Sequence, residues 1–306
     1  MLAFARLLRL SLAPSAAADV IVGVLLGYGG LWPGGPAPWL LVAASLLIYH
    51  GAMALNDWAD RVADAQTRPG RPLPSGAISP RLAWAMGWGL PALGVALAAQ
   101  VSAQLALGYG LLAACAVFYD LRGRGPFLGP LLLAACRAAN LFLGMSLAWA
   151  VPGSQAPAPT VALVLPALIY GGFIACVSLL GRLEDGQGGA IGRRPTLYLR
   201  GAAAMLVLIP ALGWAQFPTP SAWAWAASVG LAWSAAGWLL RATPKGGWTR
   251  PLIGRAMGRA LRTTLPFMAA LAVLHAGHSE SARWIAAGAL AAVPISHALR
   301  RVLPPT

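Results

Sequence analysis

The sequence predicts an all-α membrane protein, a polytopic bundle of nine transmembrane helices, or of ten if its last apolar stretch also spans. Two observations lead to this fold class. Apolar residues make up 58% of the 306 residues and charged residues only 10%, with a mean hydropathy of +0.69, a balance far from that of soluble domains. Apolar stretches long enough to cross a bilayer also recur along the whole chain.

The candidate spans follow one another with short connections. Each is an apolar run close to the length that a helix needs to cross the hydrocarbon core. In chain order the nine are 13–30, 38–56, 82–98, 103–119, 127–149, 161–180, 198–215, 221–240 and 262–277. The tenth stretch, 283–299, contains fewer apolar residues, so the sequence leaves its span open.

The distribution of charge predicts the topology. The net charge is +14, and the basic side chains are arginines except for Lys245. They gather before the first span and after the second, fourth, sixth and eighth, whereas connections 29–38, 99–102, 151–160 and 216–220 carry no charge. This positive-inside pattern predicts a multi-pass protein of the cell inner membrane with a cytoplasmic N-terminus. The charge therefore indicates contact with membrane lipid rather than with nucleic acid.

Three oxygen-bearing side chains are spaced four residues apart at the end of the second span. Asn56, Asp60 and Asp64 occupy positions i, i+4 and i+8, so on a helix they share one face. Crowded carboxylates repel one another unless a cation binds between them, and oxygen ligands suit Mg²⁺, which commonly bridges to substrate phosphates. We expect this face to point into the protein with room for a ligand. Surface salt bridges with the many arginines are the alternative interpretation.

A second acidic pair, Glu184 and Asp185, follows Arg182 after the sixth span. Adjacent side chains on a helix diverge by about 100°. These two carboxylates therefore cannot surround a metal as an i, i+4 pair does. Arg182 offers an anion paired hydrogen bonds instead.

Arg137 lies about 15 Å into the fifth predicted span, where an unpaired charge costs several kcal/mol. Asn140, at i+3, falls on the same face of the helix. Two compatible interpretations stay open. Arg137 lines a polar cavity that holds a ligand, or it pairs with the intramembrane Asp19 of the first span.

The region of the first motif resembles a known family. Residues 56–80 read NDWADRVADAQTRPGRPLPSGAISP and are similar to the first aspartate-rich motif and arginine–proline loop of the UbiA superfamily of intramembrane prenyltransferases. The similarity is closest to the EboC-like and chlorophyll synthase branch, and residues 9–14 with Asp19 and Gly23 are more like EboC. The second motif departs from the family, which carries two aspartates four residues apart where this chain has only Glu184 and its acidic neighbour.

The resemblance implies one prenyltransferase domain over residues 1–306, with a polar chamber that opens to the cytoplasm. It implies an enzyme that transfers an isoprenoid group from a prenyl diphosphate to a small-molecule acceptor with Mg²⁺ as cofactor. The implied metal ligands are Asn56, Asp60, Asp64, Glu184 and Asp185. The implied substrate-binding residues are Asn56, Asp57, Arg68, Arg71, Tyr119, Arg122, Arg137, Asn140, Arg182, Glu184 and Asp185. The implied catalytic residues are Asp60, Asp64, Arg71 and Arg137.

Several alternatives remain at the level of sequence. The reduced second motif is compatible with a non-catalytic carrier or binding protein for a lipid or a prenylated metabolite, whereas the intact first motif and the arginine loop favour an enzyme. A phosphotransferase acting on a lipid alcohol fits the acidic spacing less well. His50 is the only titratable candidate for a general base near the motif, and packing between helices is its simpler interpretation. The acceptor, the donor chain length and the oligomeric state cannot be read from the sequence.

Overall fold

The computed structural model describes residues 2–151, 164–184, 191–214 and 219–302, and in these ranges the chain is built of helices joined by turns. The α-helices are α1 (Leu2–Leu7), α2 (Ala13–Gly27), α3 (Ala37–Thr67), α4 (Pro80–Ala99), α5 (Ala103–Leu121), α6 (Leu128–Ala150), α7 (Leu165–Glu184), α8 (Arg194–Val207), α9 (Ala222–Leu240), α10 (Arg250–Val273) and α11 (Glu280–Val302). Short 3₁₀ turns at Leu10–Leu12 and Ile209–Trp214 lead into α2 and extend α8.

The helices follow the predicted spans. The nine predicted spans fall on α2 to α10, and α11 forms at the tenth stretch. Within the described ranges, eight helical segments are long and apolar enough to cross a membrane. Helices α9 and α10 are not among these eight, because tryptophan lowers the hydropathy of α9 and arginine that of α10. The all-helical membrane fold is confirmed, and the number of spans depends on how these two helices are counted.

Helix α3 carries the first acidic motif on an unusually long helix. Its 31 residues make it about 46 Å long, more than the roughly 30 Å hydrocarbon core requires. The helix is apolar up to Leu55 and polar over 56–67, so the motif lies beyond its apolar part. The turn 68–79 then folds back, and Leu73 and Ile78 pack against α1 and α3.

Two apolar clusters fill the bundle and share two helices. One cluster joins buried residues of α2, α3, α4, α5 and α6, and the other joins α2 and α6 to the helices from α7 to α11. Helices α2 and α6 therefore form the seam between the two halves of the protein.

This seam is unusually close. A Cβ atom on Gly144 would lie 2.6 Å from the carbonyl oxygen of Val20, and one on Gly23 would overlap the carbonyl oxygen of Leu141. Glycine at these positions lets the two backbones touch, which is how helices commonly associate in lipid. Asp19 lies one turn before Gly23, so the intramembrane carboxylate faces the same neighbour at close range.

Candidate active site

The acidic motif of α3 faces other parts of the chain rather than lipid. Asp57 and Asp64 are almost fully buried, with 2% and 5% exposure, and Asp60 is half-buried. Asn56, Asp60 and Asp64 each contact a residue from outside α3. The inward orientation predicted from their spacing is therefore present.

Arginine side chains form ion pairs with the carboxylates of this motif. Arg71 Nη1 donates to Asp64 Oδ2 at 2.6 Å and lies 3.9 Å from Asp57 Oδ1. Arg124, from the turn between α5 and α6, forms an ion pair with Asp60. The expectation of an open face is thus not met. Guanidinium groups lie on the carboxylates where we expected a metal cation, because the folded loops bring arginines to the motif.

Arg9 reaches the same motif from the N-terminal segment through an unusual backbone conformation. Its φ and ψ are both 48°, and among the described residues it is the only one besides glycines with a positive φ. This left-handed region costs roughly 1–2 kcal/mol for a residue with a Cβ atom. Arg9 Nη2 lies 3.2 Å from Asp57 Oδ1 and 3.4 Å from Asn56 Oδ1. The strained backbone therefore coincides with a side chain at the candidate site, where such strain is commonly found.

Asp120, at the end of α5, belongs to this cluster but was not among the site residues predicted from the sequence. The residue is 4% exposed. Its Oδ1 accepts a hydrogen bond of 3.0 Å from Asn56 Nδ2 and lies 3.8 Å from Arg124 Nη2. Its Oδ2 has no hydrogen-bond partner among the described residues. The available signal was its position, an acid directly after Tyr119 at the end of a predicted span.

A cavity of about 140 Å³ lies between α2, α3, α5 and α6, next to Asp120. Its polar lining includes Tyr119, Asp120, Arg137 and Asn140, and most other lining residues, such as Ile48, are apolar. The cavity therefore runs from the charged end of α3 towards the buried residues of α6. Charged side chains therefore line one end of this space and apolar side chains line most of the rest.

Arg137 and Asn140 form a buried network with α2 and α7. Arg137 Nη2 lies 3.0 Å from Asp19 Oδ1 and 2.6 Å from Tyr170 Oη. Asn140 Nδ2 donates to Asp19 Oδ2 at 3.2 Å, and Tyr170 Oη donates to Asp19 Oδ1 at 2.9 Å. The predicted pairing of Arg137 with Asp19 is confirmed. Arg137 and Asn140 also line the cavity, so the pairing with Asp19 does not exclude a contact with substrate. That contact stays a prediction.

Glu184, from the second acidic motif, lies against α10. The Glu184 carboxylate lies against Gly254 of α10. Arg182 instead donates to two backbone carbonyls of the α5–α6 turn, at 2.9 and 3.1 Å. Asp185 lies outside the described residues. Across the part of the chain that the structure describes, no three His, Cys, Asp or Glu side chains come close enough to hold a metal.

The remaining predicted residues lie in different surroundings. Arg68 and Arg122 are exposed, and Arg122 lines an outer groove between α4 and α5. The structure thus brings Arg124, rather than Arg122, to the acidic motif. The Tyr119 ring is half-buried, with the Arg124 guanidinium 5.9 Å from its centre. His50 Nδ1 lies 2.8 Å from a backbone carbonyl of the N-terminal segment, which supports its interpretation as a packing residue.

A multi-span helical bundle with a cluster of acidic and arginine side chains beside a mostly apolar cavity defines an integral-membrane protein with an internal polar site. Comparison with known proteins gives the particular family. Residues 19–252 match the UbiA prenyltransferase family, and the chain belongs to this family. It is an integral-membrane prenyltransferase of the UbiA type, as the first motif predicted.

Relatives of known activity support this assignment. The chain is 30% identical over 218 residues to the digeranylgeranylglyceryl phosphate synthase of Methanopyrus kandleri, a match covering 69% of this chain and 75% of that protein. It is 33% identical over 158 residues to the bacteriochlorophyll synthase 33 kDa chain of Cereibacter sphaeroides, covering 46% of this chain and 47% of that protein.

Solved structures share the fold. A UbiA homologue from Archaeoglobus fulgidus bound to GPP and Mg²⁺ matches with a TM-score of 0.61 at 16% identity, over 88% of this chain and 99% of that chain. The apo structure of a UbiA homologue from Aeropyrum pernix K1 matches with a TM-score of 0.60 at 20% identity, over 85% of this chain and 96% of that chain. At these identities the likeness concerns the fold.

Proposed function

We propose that this UbiA-type prenyltransferase moves the isoprenoid group of a prenyl diphosphate onto a small-molecule acceptor at the charged end of α3. The observation that carries the proposal is the set of carboxylates Asp57, Asp60, Asp64 and Asp120 beside arginines, next to a cavity with mostly apolar walls. A diphosphate requires cations, and an isoprenoid tail requires apolar walls. The relative from Archaeoglobus fulgidus is bound to GPP and Mg²⁺, which supports the same substrate class here.

Mg²⁺ is the cofactor that we propose, held by oxygen atoms of Asn56, Asp60 and Asp64. These residues fit the ion chemically, because hard oxygen donors are its preferred ligands. The buried Oδ2 atoms of Asp57 and Asp120 have no hydrogen-bond partner in the described part of the chain, so the cluster has acceptor capacity that its arginines do not use. When bound, Mg²⁺ offsets the negative charge that develops on the leaving diphosphate.

Arg9, Arg71 and Arg124 are the diphosphate partners that we propose. Their guanidinium groups now contact side-chain oxygens of the acidic motif, and a diphosphate would offer them paired hydrogen bonds of similar strength. Substrate binding would therefore give these cations new partners and free carboxylate oxygens for the metal. Arg182 would add positive charge where the second acidic motif is incomplete, because Glu184 is turned to α10.

The arginines would act during the transfer itself. As the bond between the allylic carbon and the diphosphate oxygen breaks, positive charge develops on carbon and negative charge on the departing oxygens. Guanidinium groups that have moved onto the diphosphate during binding would then stabilise those oxygens as the charge develops, and little water would compete with them there. The acceptor then bonds to the allylic carbon, and its proton passes to the departing diphosphate or to water.

The acceptor class and the location of the site are also proposals. The two relatives are named as a digeranylgeranylglyceryl phosphate synthase and as a chain of a bacteriochlorophyll synthase, and with them in view we propose an acceptor that reaches the site from the membrane. A position in the EboC-like or chlorophyll synthase branch is compatible with the second relative. The arginine-rich connections support an inner-membrane protein with the α3 end in the cytoplasm. The family assignment does not favour the non-catalytic carrier.

Diphosphate release from purified protein tests the proposal. Protein in lipid nanodiscs is incubated with labelled geranyl or geranylgeranyl diphosphate and a membrane extract as the source of acceptor, with and without Mg²⁺. We expect Mg²⁺-dependent diphosphate release and a labelled lipid product, both lost in Asp60→Ala and retained in Glu280→Ala, the same truncation of an acid at the start of α11. Binding of the donor with no release in any extract would overturn the proposal in favour of the carrier.

A further inference from the structure

We propose that Asp120 is a positioning residue that orients the side-chain amide of Asn56, so that its oxygen rather than its nitrogen faces the cation of the site. This inference rests on the proposed function, in which Asn56 is a metal ligand. It assigns a role in metal binding to a residue of α5, which lies outside both acidic motifs.

The amide of Asn56 lies between two partners of opposite hydrogen-bonding chemistry. Asp120 Oδ1 accepts from Asn56 Nδ2 at 3.0 Å, and Arg9 Nη2 lies 3.4 Å from Asn56 Oδ1. A guanidinium group can only donate and a carboxylate accepts. The two neighbours therefore fix the orientation of the amide, with Oδ1 towards Arg9 and Nδ2 towards Asp120, although the two ends of an amide have nearly the same shape.

Arg9 also identifies the side on which a cation lies. The same Nη2 atom is 3.2 Å from Asp57 Oδ1, so one positive group contacts the oxygen of Asn56 and a buried carboxylate together. A metal that takes oxygen ligands from this motif approaches the same oxygen. If the amide were rotated by 180°, its NH₂ group would point at the cation and could not bind it.

Asp120 is itself held in place, which a positioning residue requires. Its side chain is 2% exposed, and Oδ1 also lies 3.8 Å from Arg124 Nη2. Arg124 pairs with Asp60, so the orienting carboxylate and a second proposed metal ligand share one guanidinium. Residues that orient metal ligands in this way commonly change metal affinity 10- to 100-fold when they are removed.

A structural bond between α3 and α5 is the competing explanation for the Asn56–Asp120 contact. The two explanations separate in Asp120→Asn. An asparagine at position 120 can still bond to Asn56 and keep the helices together, but it can donate to the Asn56 oxygen as readily as it accepts from the nitrogen. The orientation is then lost while the link between the helices remains.

The exchanged pair Asn56→Asp with Asp120→Asn provides the rescue. An aspartate at position 56 presents an oxygen to the cation in either rotamer, and the asparagine at position 120 can donate to its other oxygen. The total charge is that of the original protein. An effect due only to lost orientation is therefore removed by the exchange.

The experiment measures Mn²⁺ binding, as a stand-in for Mg²⁺, by electron paramagnetic resonance on protein in nanodiscs with the S-thiolo analogue of geranyl diphosphate. We expect Asp120→Asn to raise the Kd for Mn²⁺ about 10-fold or more with an unchanged thermal midpoint. We expect the double variant to return to within about threefold of the original protein, and Glu280→Gln to leave the Kd unchanged.

The other outcomes each overturn a stated idea. If the original protein binds Mn²⁺ and Asp120→Asn binds it equally well, the positioning role is wrong while the proposed function stands. If the single and the double variant are equally weak, Asp120 acts as more than an orienting acceptor and the inference is again wrong. If the original protein does not bind Mn²⁺ with the analogue, the proposed metal site fails, and this role of Asp120 fails with it.

Discussion

Leucine substitutions at Asp19 and Arg137, made singly and together, separate the structural role of this buried pair from a role in substrate binding. Asp19 is 0% exposed and accepts hydrogen bonds from Arg137, Tyr170 and Asn140. After Asp19→Leu, the Arg137 guanidinium keeps only neutral partners, the Tyr170 hydroxyl and the Ser15 carbonyl. Arg137→Leu leaves the Asp19 carboxylate buried with only neutral donors.

The expected magnitudes follow from these contacts. Breaking a buried ion pair by removing one partner costs about 3–5 kcal/mol, or roughly 10²- to 10⁴-fold in the ratio of unfolded to folded protein. The double variant removes both charges and leaves mainly the Tyr170 hydroxyl without its partners, a loss of about 1–3 kcal/mol. The two single losses sum to about 6–10 kcal/mol, so a coupling of at least about 3 kcal/mol is expected.

The assay is equilibrium unfolding of the four proteins in one detergent, with the coupling taken from the double-mutant cycle. Losses that simply add, with the double variant as unstable as the sum of the singles, would refute the reasoning from a buried ion pair. Diphosphate release by the double variant tests whether Arg137 also has a role in substrate binding. If it folds and remains active, the pair of Asp19 and Arg137 is structural only. If it folds and is inactive, Arg137 also contacts the substrate.

Three further predictions concern single side chains. Asp60→Ala and Asp64→Ala should abolish diphosphate release while the proteins elute as folded from size exclusion, because we expect these oxygens to hold the metal; normal turnover in either variant would contradict this. Glu184→Ala should reduce turnover less than either of them, since Glu184 is turned to α10, and a complete loss would show that the second motif does hold the metal. Gly23→Ala should destabilise the protein by about 1–3 kcal/mol, because the added Cβ would overlap the backbone of α6. Gly110→Ala is the control: no atom lies within 4 Å of its added Cβ, so the unfolding midpoint should not fall.

The spans and the first motif could be predicted because their signals are local. Hydropathy over a stretch of about 20 residues marks a membrane helix, and the spacing of Asn56, Asp60 and Asp64 fixes a shared face on any helix that contains them. The intramembrane charge of Arg137 required a partner, and Asp19 was the only acid predicted inside another span. The first two inferences need only a rule about one segment of the chain. The third follows from the free-energy cost of an unpaired charge inside the membrane.

The partners of the motif could not be predicted in the same way. Arg9 and Asp120 lie 47 and 64 residues from Asn56, and no periodicity in the sequence relates them. The choice between Arg122 and Arg124 depends on how α5 ends. The direction of Glu184 depends on which side of α7 meets α10. These are tertiary contacts, and they decide whether the carboxylates are open or paired with arginines.

The buried pair on α2 and α6 has a consequence for how the protein is made. Asp19 and Arg137 are 118 residues apart, and a ribosome adds about 5–20 residues per second. The first membrane helix therefore leaves the ribosome on the order of ten seconds before its basic partner exists. During that interval its carboxylate must take up a proton, stay near the lipid headgroups or remain with the insertion machinery, since an isolated charge is costly in the bilayer centre. Nascent chains stalled before residue 137 should then be more accessible to quality-control proteases than chains stalled after it.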